Sequence, residues 1–155
     1  MSLDVDDFLT ALRAGVVDGD IDAALPFFGD TLTVFVDDRI LRFATPDEVR
    51  QSLADFHGQA MMDGMRDGQP EVTSRGPVVQ GRVRLRITWT FLMGNGASHT
   101  GLATYYCRVE DRHPRVELVE VHDSGGFTDI PGWYPGRAVD DLLRGPICPG
   151  HPRHH

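Results

Sequence analysis

Polar and apolar side chains alternate from residue 82 to residue 91, and Met93 continues the apolar period. Arginine or threonine separates the apolar residues as far as Thr90. A period of two is typical of a β-strand with one face in a core and the other in polar surroundings. Because two more alternating stretches follow, the sequence predicts a curved sheet whose apolar face is closed by helices around a pocket. The alternating apolar residues are Val83, Leu85, Ile87, Trp89, Phe91 and Met93.

The composition limits the classes of protein that the chain can belong to. A length of 155 residues with 41% hydrophobic content fits one domain. A net charge of -8 argues against a nucleic-acid partner, which needs clustered cations. Three of the cations, Arg82, Arg84 and Arg86, share one strand face, which we expect to be solvated or to face a second subunit.

The compartment can also be predicted. No apolar run approaches the roughly 20 residues that a membrane-spanning helix needs, and the first residues lack the pattern of a secretory signal. The two cysteines, Cys107 and Cys148, have no spacing typical of a zinc site or a disulfide framework. We therefore expect a soluble, cytoplasmic protein without a membrane partner.

Three helices are predicted before the long strands. Residues 5–15 place their apolar side chains on one helical face and end at a glycine. A short, irregular helix is predicted over 20–28. The third, over 45–64, has the clearest start, because Thr45 can cap it, proline follows at the first helical position, and Glu48 completes a capping box.

The other segments with alternating or β-branched residues predict strands. Residues 65–71 are rich in poor strand formers, and we expect a loop there. Glycine-rich or acidic turns join consecutive strands into hairpins, which predicts antiparallel pairing. The predicted strands span 32–36, 39–43, 72–79, 82–93, 99–110 and 115–123.

After residue 124 the sequence becomes rich in glycine and proline. We expect one domain over 1–124, a C-terminal arm over 125–145 packed on it, and a disordered tail over 146–155. Trp133 and Tyr134 in the arm have three alternative predicted positions: over the pocket mouth as a lid, against a second subunit, or in a groove of their own chain.

The order of elements over residues 4–124 resembles the nuclear transport factor 2-like superfamily, and it looks closest to the SnoaL-like branch. The resemblance implies an α+β fold, the cone-shaped cystatin-like fold, with three N-terminal helices packed on a curved antiparallel sheet. It also implies a ligand cavity between them and a homodimer formed through the outer sheet face. The residues that carry it are Ala14-Gly15, the segment DIDAALPFF before Gly29-Asp30, Thr100-Gly101, and YCRVEDRHPRVELVEVHD.

Proteins of this superfamily include isomerases, polyketide cyclases, dehydratases and non-catalytic binding modules. Compared with ketosteroid isomerases, this chain has Phe8 in place of the donor tyrosine, Val36 near the general base, and Tyr105 in place of the second oxyanion-hole acid. Steroid-type isomerisation is therefore not expected. SnoaL-like cyclases use an acidic residue at the end of the last strand, and the resemblance places Asp123 there.

Strand alternation predicts that Tyr105 and Asp123 face the pocket. We assign Asp123 as acid or base, Tyr105 as hydrogen-bond donor and His57, on the third helix, as an auxiliary group. Each also has a structural interpretation: a strand-end cap for Asp123, a core aromatic for Tyr105, and a packing histidine for His57. The pocket wall is predicted to contain Trp89, Phe91, Phe56, Val119, Val121, Cys107 and Phe8.

Two functions remain open at this point. The first is binding of a small apolar organic ligand, extended to cofactor-free isomerisation, cyclisation or dehydration by proton transfer. The second is a non-catalytic ligand-binding or protein-interaction module. No cofactor is expected. No metal is expected either, because His99 and His122 do not converge with other ligands and Ala23 breaks the calcium-loop pattern.

Overall fold

The computed structural model describes residues 3–124, with side chains over 3–123. The predicted arm and tail, with Trp133, Tyr134 and Cys148, lie outside these residues. The helices are α1 (Asp6–Val17), α2 (Ile21–Ala24), followed by one 3-10 turn (Leu25–Phe27), and α3 (Pro46–Met62). The strands are β1 (Phe28–Val36), β2 (Arg39–Phe43), β3 (Met65–Arg75), β4 (Arg82–Met93), β5 (Ser98–Glu110) and β6 (His113–Ser124).

Side-chain hydrogen bonds lie at the start of both long helices, and the capping box of α3 is as predicted. The Thr45 hydroxyl accepts a hydrogen bond from the Glu48 backbone N–H at 3.2 Å, and the Glu48 carboxylate accepts one from the Ala44 N–H at 2.8 Å. Asp4 accepts from the Asp6 N–H at 3.1 Å at the start of α1. The predicted end of α1 at Gly15 is wrong, because the helix continues to Val17.

The six strands form one mixed sheet in the order β2-β1-β6-β5-β4-β3. Four neighbouring pairs are antiparallel, as predicted, but β1 and β6 are parallel. The all-antiparallel prediction missed this pair because β6 returns beside β1 from the far end of the domain. No turn in the sequence indicates such a pairing.

The predicted loop over 65–71 is wrong, because β3 begins at Met65 and ends at Arg75. This strand lies at the sheet edge, where a proline can be tolerated, since one side of the strand needs no partner. Pro70 accordingly pairs opposite Trp89 of β4. The Gly64 carbonyl accepts a hydrogen bond from the Gly94 N–H at 2.7 Å, which secures the start of the strand.

The alternation along β4 has the predicted consequence. The six alternating apolar residues of that strand are buried, whereas Leu92, which lies between two of them, is exposed. The helices lie against the face that the six occupy. The intervening arginines and two threonines form part of the opposite, outer face. Among the described helices, none combines the length and apolar character that crossing a membrane requires.

Candidate functional site

An inner cavity of about 90 Å³ lies between the helices and the inner face of the sheet. This volume is several times the roughly 10–15 Å³ that one water molecule needs. Its wall is almost entirely apolar; Ser52, Trp89, Tyr105 and Asp123 contribute the side-chain polar atoms. The lining residues are Leu12, Gly15, Val16, Ala24, Phe28, Leu32, Val34, Ser52, Leu53, Phe56, Trp89, Phe91, Gly101, Leu102, Ala103, Tyr105, Val119, Val121 and Asp123.

Tyr105 is the buried hydrogen-bonding group of this wall. Its phenolic oxygen accepts a hydrogen bond from the Trp89 indole N–H at 3.4 Å. Among the described residues, none accepts the phenolic proton. Burial raises the pKa of Tyr105 to about 12, so the hydroxyl keeps its proton at neutral pH. The cavity therefore presents one O–H donor in apolar surroundings.

Two aromatic rings of β4 form a flat part of the wall. Trp89 and Phe91 are stacked, with centroids 5.4 Å apart and planes within 2° of parallel. They point to the same side because they are two residues apart on a strand. Aromatic faces of this kind favour apolar or aromatic ligands.

Asp123 lies at the rim of the cavity, where it is exposed to solvent. A bulge in β6 sets this position: Ala103 pairs with Val121, whereas the preceding Leu102 pairs with Asp123. His122 is thus the extra residue. We predicted that Asp123 would project into the apolar interior, and its exposure corrects that part of the prediction.

Ser52 is buried in the wall, but its hydroxyl is already used. It donates to the Val49 carbonyl one turn earlier in α3, at 2.7 Å. This bond satisfies the proton within the helix. The Ser52 proton is therefore not available to a ligand. Among the described residues, Tyr105 supplies the buried hydroxyl donor of the cavity.

His57 does not line the inner cavity, contrary to its predicted auxiliary role there. Its Nδ1 lies 2.8 Å from the Val16 carbonyl oxygen, which can only accept, so Nδ1 carries a proton and donates. The ring covers Gly19, where φ is 73° and a Cβ would lie 2.7 Å from Nε2. His57 thus joins α3 to the end of α1, which is the structural interpretation.

Phe8 and Cys107 also lie outside the lining, although both are buried. The Phe8 ring meets the Tyr105 ring edge-on, with centroids 6.1 Å apart, and so supports it from behind. Burial raises the pKa of the Cys107 thiol to about 12. The other five predicted wall residues, Trp89, Phe91, Phe56, Val119 and Val121, do line the cavity.

The sequence prediction missed several wall residues on α1, β1 and α3. Leu12 and Leu53 belong to predicted apolar helix faces, and Leu32 and Val34 alternate along β1. Their periodicity indicated burial. It did not show which buried residues border the void, because that depends on how each helix lies on the sheet.

One cluster of side chains has the types that bind metals. Asp4, Asp7 and His113 converge, with His113 Nε2 at 3.4 Å from an Asp4 oxygen and 3.5 Å from an Asp7 oxygen. An oxygen of the Asp4 carboxylate also accepts a hydrogen bond from the Asp6 N–H at the start of α1. The cluster lies at the surface, where acidic groups commonly gather without a metal ion.

No protein-family model matches the sequence, and a search of curated proteins gives no match. Solved structures do match. A nuclear transport factor 2-like protein of unknown function from Shewanella oneidensis is 12% identical, with a TM-score of 0.58, over 74% of this chain and 92% of that one. A protein of unknown function with a cystatin-like fold from Nostoc punctiforme is 12% identical, with a TM-score of 0.55. The match covers 81% of this chain and 97% of that one.

A DUF4783 family protein from Bacteroides uniformis is 10% identical to this chain, with a TM-score of 0.53, over 77% of this chain and 95% of that one. At such identities the similarity is one of fold. Because the matched structures are covered almost completely, the similarity of fold extends over their whole architecture. The described chain has the nuclear transport factor 2-like, cystatin-like α+β fold.

Proposed function

We propose that this domain binds a small, largely apolar organic molecule in the inner cavity, with the Tyr105 hydroxyl donating to one acceptor atom of the ligand. The observation that carries the proposal is the Tyr105 proton, which lacks an acceptor among the described residues although the ring is buried. A buried polar group without its partner is costly. A ligand acceptor would supply that partner.

The wall sets the chemical class. Stacked aromatic rings and aliphatic side chains favour a hydrocarbon body, and one O–H donor favours one carbonyl or ether oxygen. A volume of about 90 Å³ favours a single ring or a short chain over a polycyclic compound. Cyclohexanone is a suitable probe, and methylcyclohexane is its matched analogue without an acceptor.

The test uses the full chain carrying Trp133→Phe, which leaves Trp89 as its one tryptophan. The indole N–H signal of Trp89 is followed by NMR while each probe is added. We expect saturable shifts with cyclohexanone and several-fold weaker binding of methylcyclohexane. Tyr105→Phe should weaken cyclohexanone binding by about 2- to 10-fold, the value of one hydrogen bond, and should remove the preference between probes.

Tyr106→Phe is the matched control. Tyr106 follows Tyr105 directly, but its hydroxyl donates to Glu120 at 3.0 Å on the outer face, so its loss should leave cyclohexanone affinity unchanged. Equal affinities of the wild type and Tyr105→Phe for the ketone would contradict the assigned donor. Absence of saturable binding by either probe would contradict the proposed ligand class.

A second candidate function is cofactor-free proton transfer, because Asp123 borders the same cavity as Tyr105. In this proposal the Asp123 carboxylate takes a proton from the carbon beside the ligand carbonyl. The C–H electron pair forms the enolate, whose oxygen Tyr105 stabilises, and Asp123 then returns a proton. Isomerisation, one of the reactions considered from the sequence, can begin with a proton transfer of this type.

Deuterium exchange tests this step directly. Cyclohexanone in D2O should exchange its α-hydrogens faster with the protein than in buffer, and Asp123→Asn should lose most of that rate while keeping the affinity. Exchange at the buffer rate with a bound ketone would instead favour the non-catalytic binding module. That result would leave the binding proposal intact.

The expected homodimer through the outer sheet face also remains a proposal. Half-buried apolar side chains at Phe35 of β1 and Leu118 of β6 would supply contact area there. Light scattering on a size-exclusion column measures the molar mass. We expect twice the chain's 17.2 kDa, and a mass of one chain at micromolar concentration would contradict the dimer.

A further inference from the structure

The outer face of the sheet carries a second concavity, which we call the outer-face groove. It has a volume of about 300 Å³, and its lining is mainly polar. It lies on the opposite side of the sheet from the inner cavity and shares no lining residue with it. The groove is lined by Ser74, Gly76, Arg84, Arg86, Thr104, Tyr106, Glu120 and His122.

Two exposed arginines of β4, Arg84 and Arg86, form one side of this groove. Neither has a carboxylate within 4.0 Å among the described residues. Neighbouring arginines differ: Arg82 pairs with Glu117 at 2.6 Å, and Arg108 pairs with Glu110 at 2.6 Å. The chain has 23 acidic residues against 15 basic ones, so the missing partners do not reflect a shortage of acids.

The groove's other polar groups are largely engaged with one another. The Thr104 hydroxyl and His122 Nε2 are hydrogen-bonded at 2.8 Å, and Tyr106 donates to Glu120 at 3.0 Å. Glu120 also lies 4.0 Å from His122 Nε2. The one carboxylate of the groove is therefore held on β6 by its own neighbours, away from the two arginines.

We propose that the outer-face groove binds an oxyanion, a carboxylate or phosphate group, between the guanidinium groups of Arg84 and Arg86. Guanidinium groups present several N–H donors in a planar fork that fits two oxygens of such an anion. The two arginines stand at alternate positions of one strand, so their side chains leave the sheet on the same side. Glu120 repels the anion from the β6 side and so places it at β4.

Inorganic phosphate and succinate are the probes, added separately at constant low ionic strength with chloride as the reference. Backbone amide signals of Arg86, Thr104 and Tyr106 should shift saturably with either oxyanion and not with chloride. The double variant Arg84→Gln/Arg86→Gln should weaken binding at least 10-fold. Phosphate bound much more tightly than succinate would identify a phosphate ligand, and the reverse a carboxylate.

Arg66→Gln is the matched control, because Arg66 is an exposed arginine of β3 outside the groove. It should keep oxyanion affinity within twofold. Equal weakening by Arg66→Gln would show a general charge effect and overturn the site, as would the absence of saturable shifts in the wild type. A wild-type dimer that dissociates in the double variant would assign the arginines to the subunit contact and also overturn it.

Discussion

The indole nitrogen of Trp89 reaches the phenolic oxygen of Tyr105 at 3.4 Å although the two residues are not paired across their strands. Trp89 lies opposite Gly101, and Tyr105 lies opposite Leu85. The indole thus extends along the sheet past Gly101 and Ala103, which have small side chains or none. These small residues leave the space that the cavity occupies.

Filling that space should abolish ligand binding without unfolding the domain. Ala103 is buried and lines the cavity, so the added methyl groups of Ala103→Leu would enter the void. We expect at least a 10-fold loss of cyclohexanone affinity, with the free energy of unfolding lowered by no more than about 3 kcal/mol. Titration and urea denaturation measure the two quantities. Unchanged affinity in a folded variant would place the ligand elsewhere.

Tyr105 should make the fold sensitive to alkaline pH. Its pKa is raised from 10.0 to about 12, so between these values the unfolded chain loses the phenolic proton while the folded chain keeps it. The free energy of unfolding should therefore fall as pH rises through this window, by up to about 3 kcal/mol. Urea denaturation at pH 9, 10 and 11 should show a steeper fall for the wild type than for Tyr105→Phe. An equal pH dependence of the free energy of unfolding in the two proteins would contradict the raised pKa of Tyr105.

His57 should act on stability and not on ligand binding. His57→Ala removes the hydrogen bond to the Val16 carbonyl, and we expect the free energy of unfolding to fall by about 1–3 kcal/mol. His57→Asn keeps a donor close to the position of Nδ1 and should recover part of the loss. Both folded variants should bind cyclohexanone as the wild type does. A weaker affinity for cyclohexanone at unchanged stability would show that His57 takes part in ligand binding.

Two helical glycines should respond oppositely to alanine. A Cβ at Gly15 would lie 2.7 Å from the Ala24 Cβ, so Gly15→Ala should force α1 and α2 apart and cost about 1–3 kcal/mol. A Cβ at Gly58 in α3 meets no atom within 4 Å, so Gly58→Ala should stabilise by about 0.5–1 kcal/mol. Thermal denaturation compares the two variants. Similar shifts in melting temperature would refute the close approach at Gly15.

The sequence predicted local structure well where one pattern dominated. The alternation along β4 identified every buried residue of that strand, and Thr45 with Glu48 marked the start of α3 correctly. β3 escaped prediction because Gly68 and Pro70 disfavour strands in general, whereas an edge position tolerates them. The parallel pairing of β1 and β6 was not predicted, because it depends on contacts between distant parts of the chain.

The sequence predicted many of the residues that line the cavity, but it did not predict how Asp123 and His57 are placed. Alternation brought Trp89, Tyr105 and Val119 to one wall, where the structure has them. The bulge at His122 has no signature in the sequence, and it carries Asp123 to the exposed rim. The bond between His57 and Val16 likewise depends on how α3 lies on α1, which periodicity does not specify.

The most direct test of the proposed ligand site is a filtered nuclear Overhauser experiment on isotope-labelled protein with unlabelled cyclohexanone. We predict contacts from the ketone protons to the side chains of Trp89, Phe91 and Val119, which line the inner cavity. Contacts confined to residues outside that lining, with none to these three, would contradict the account.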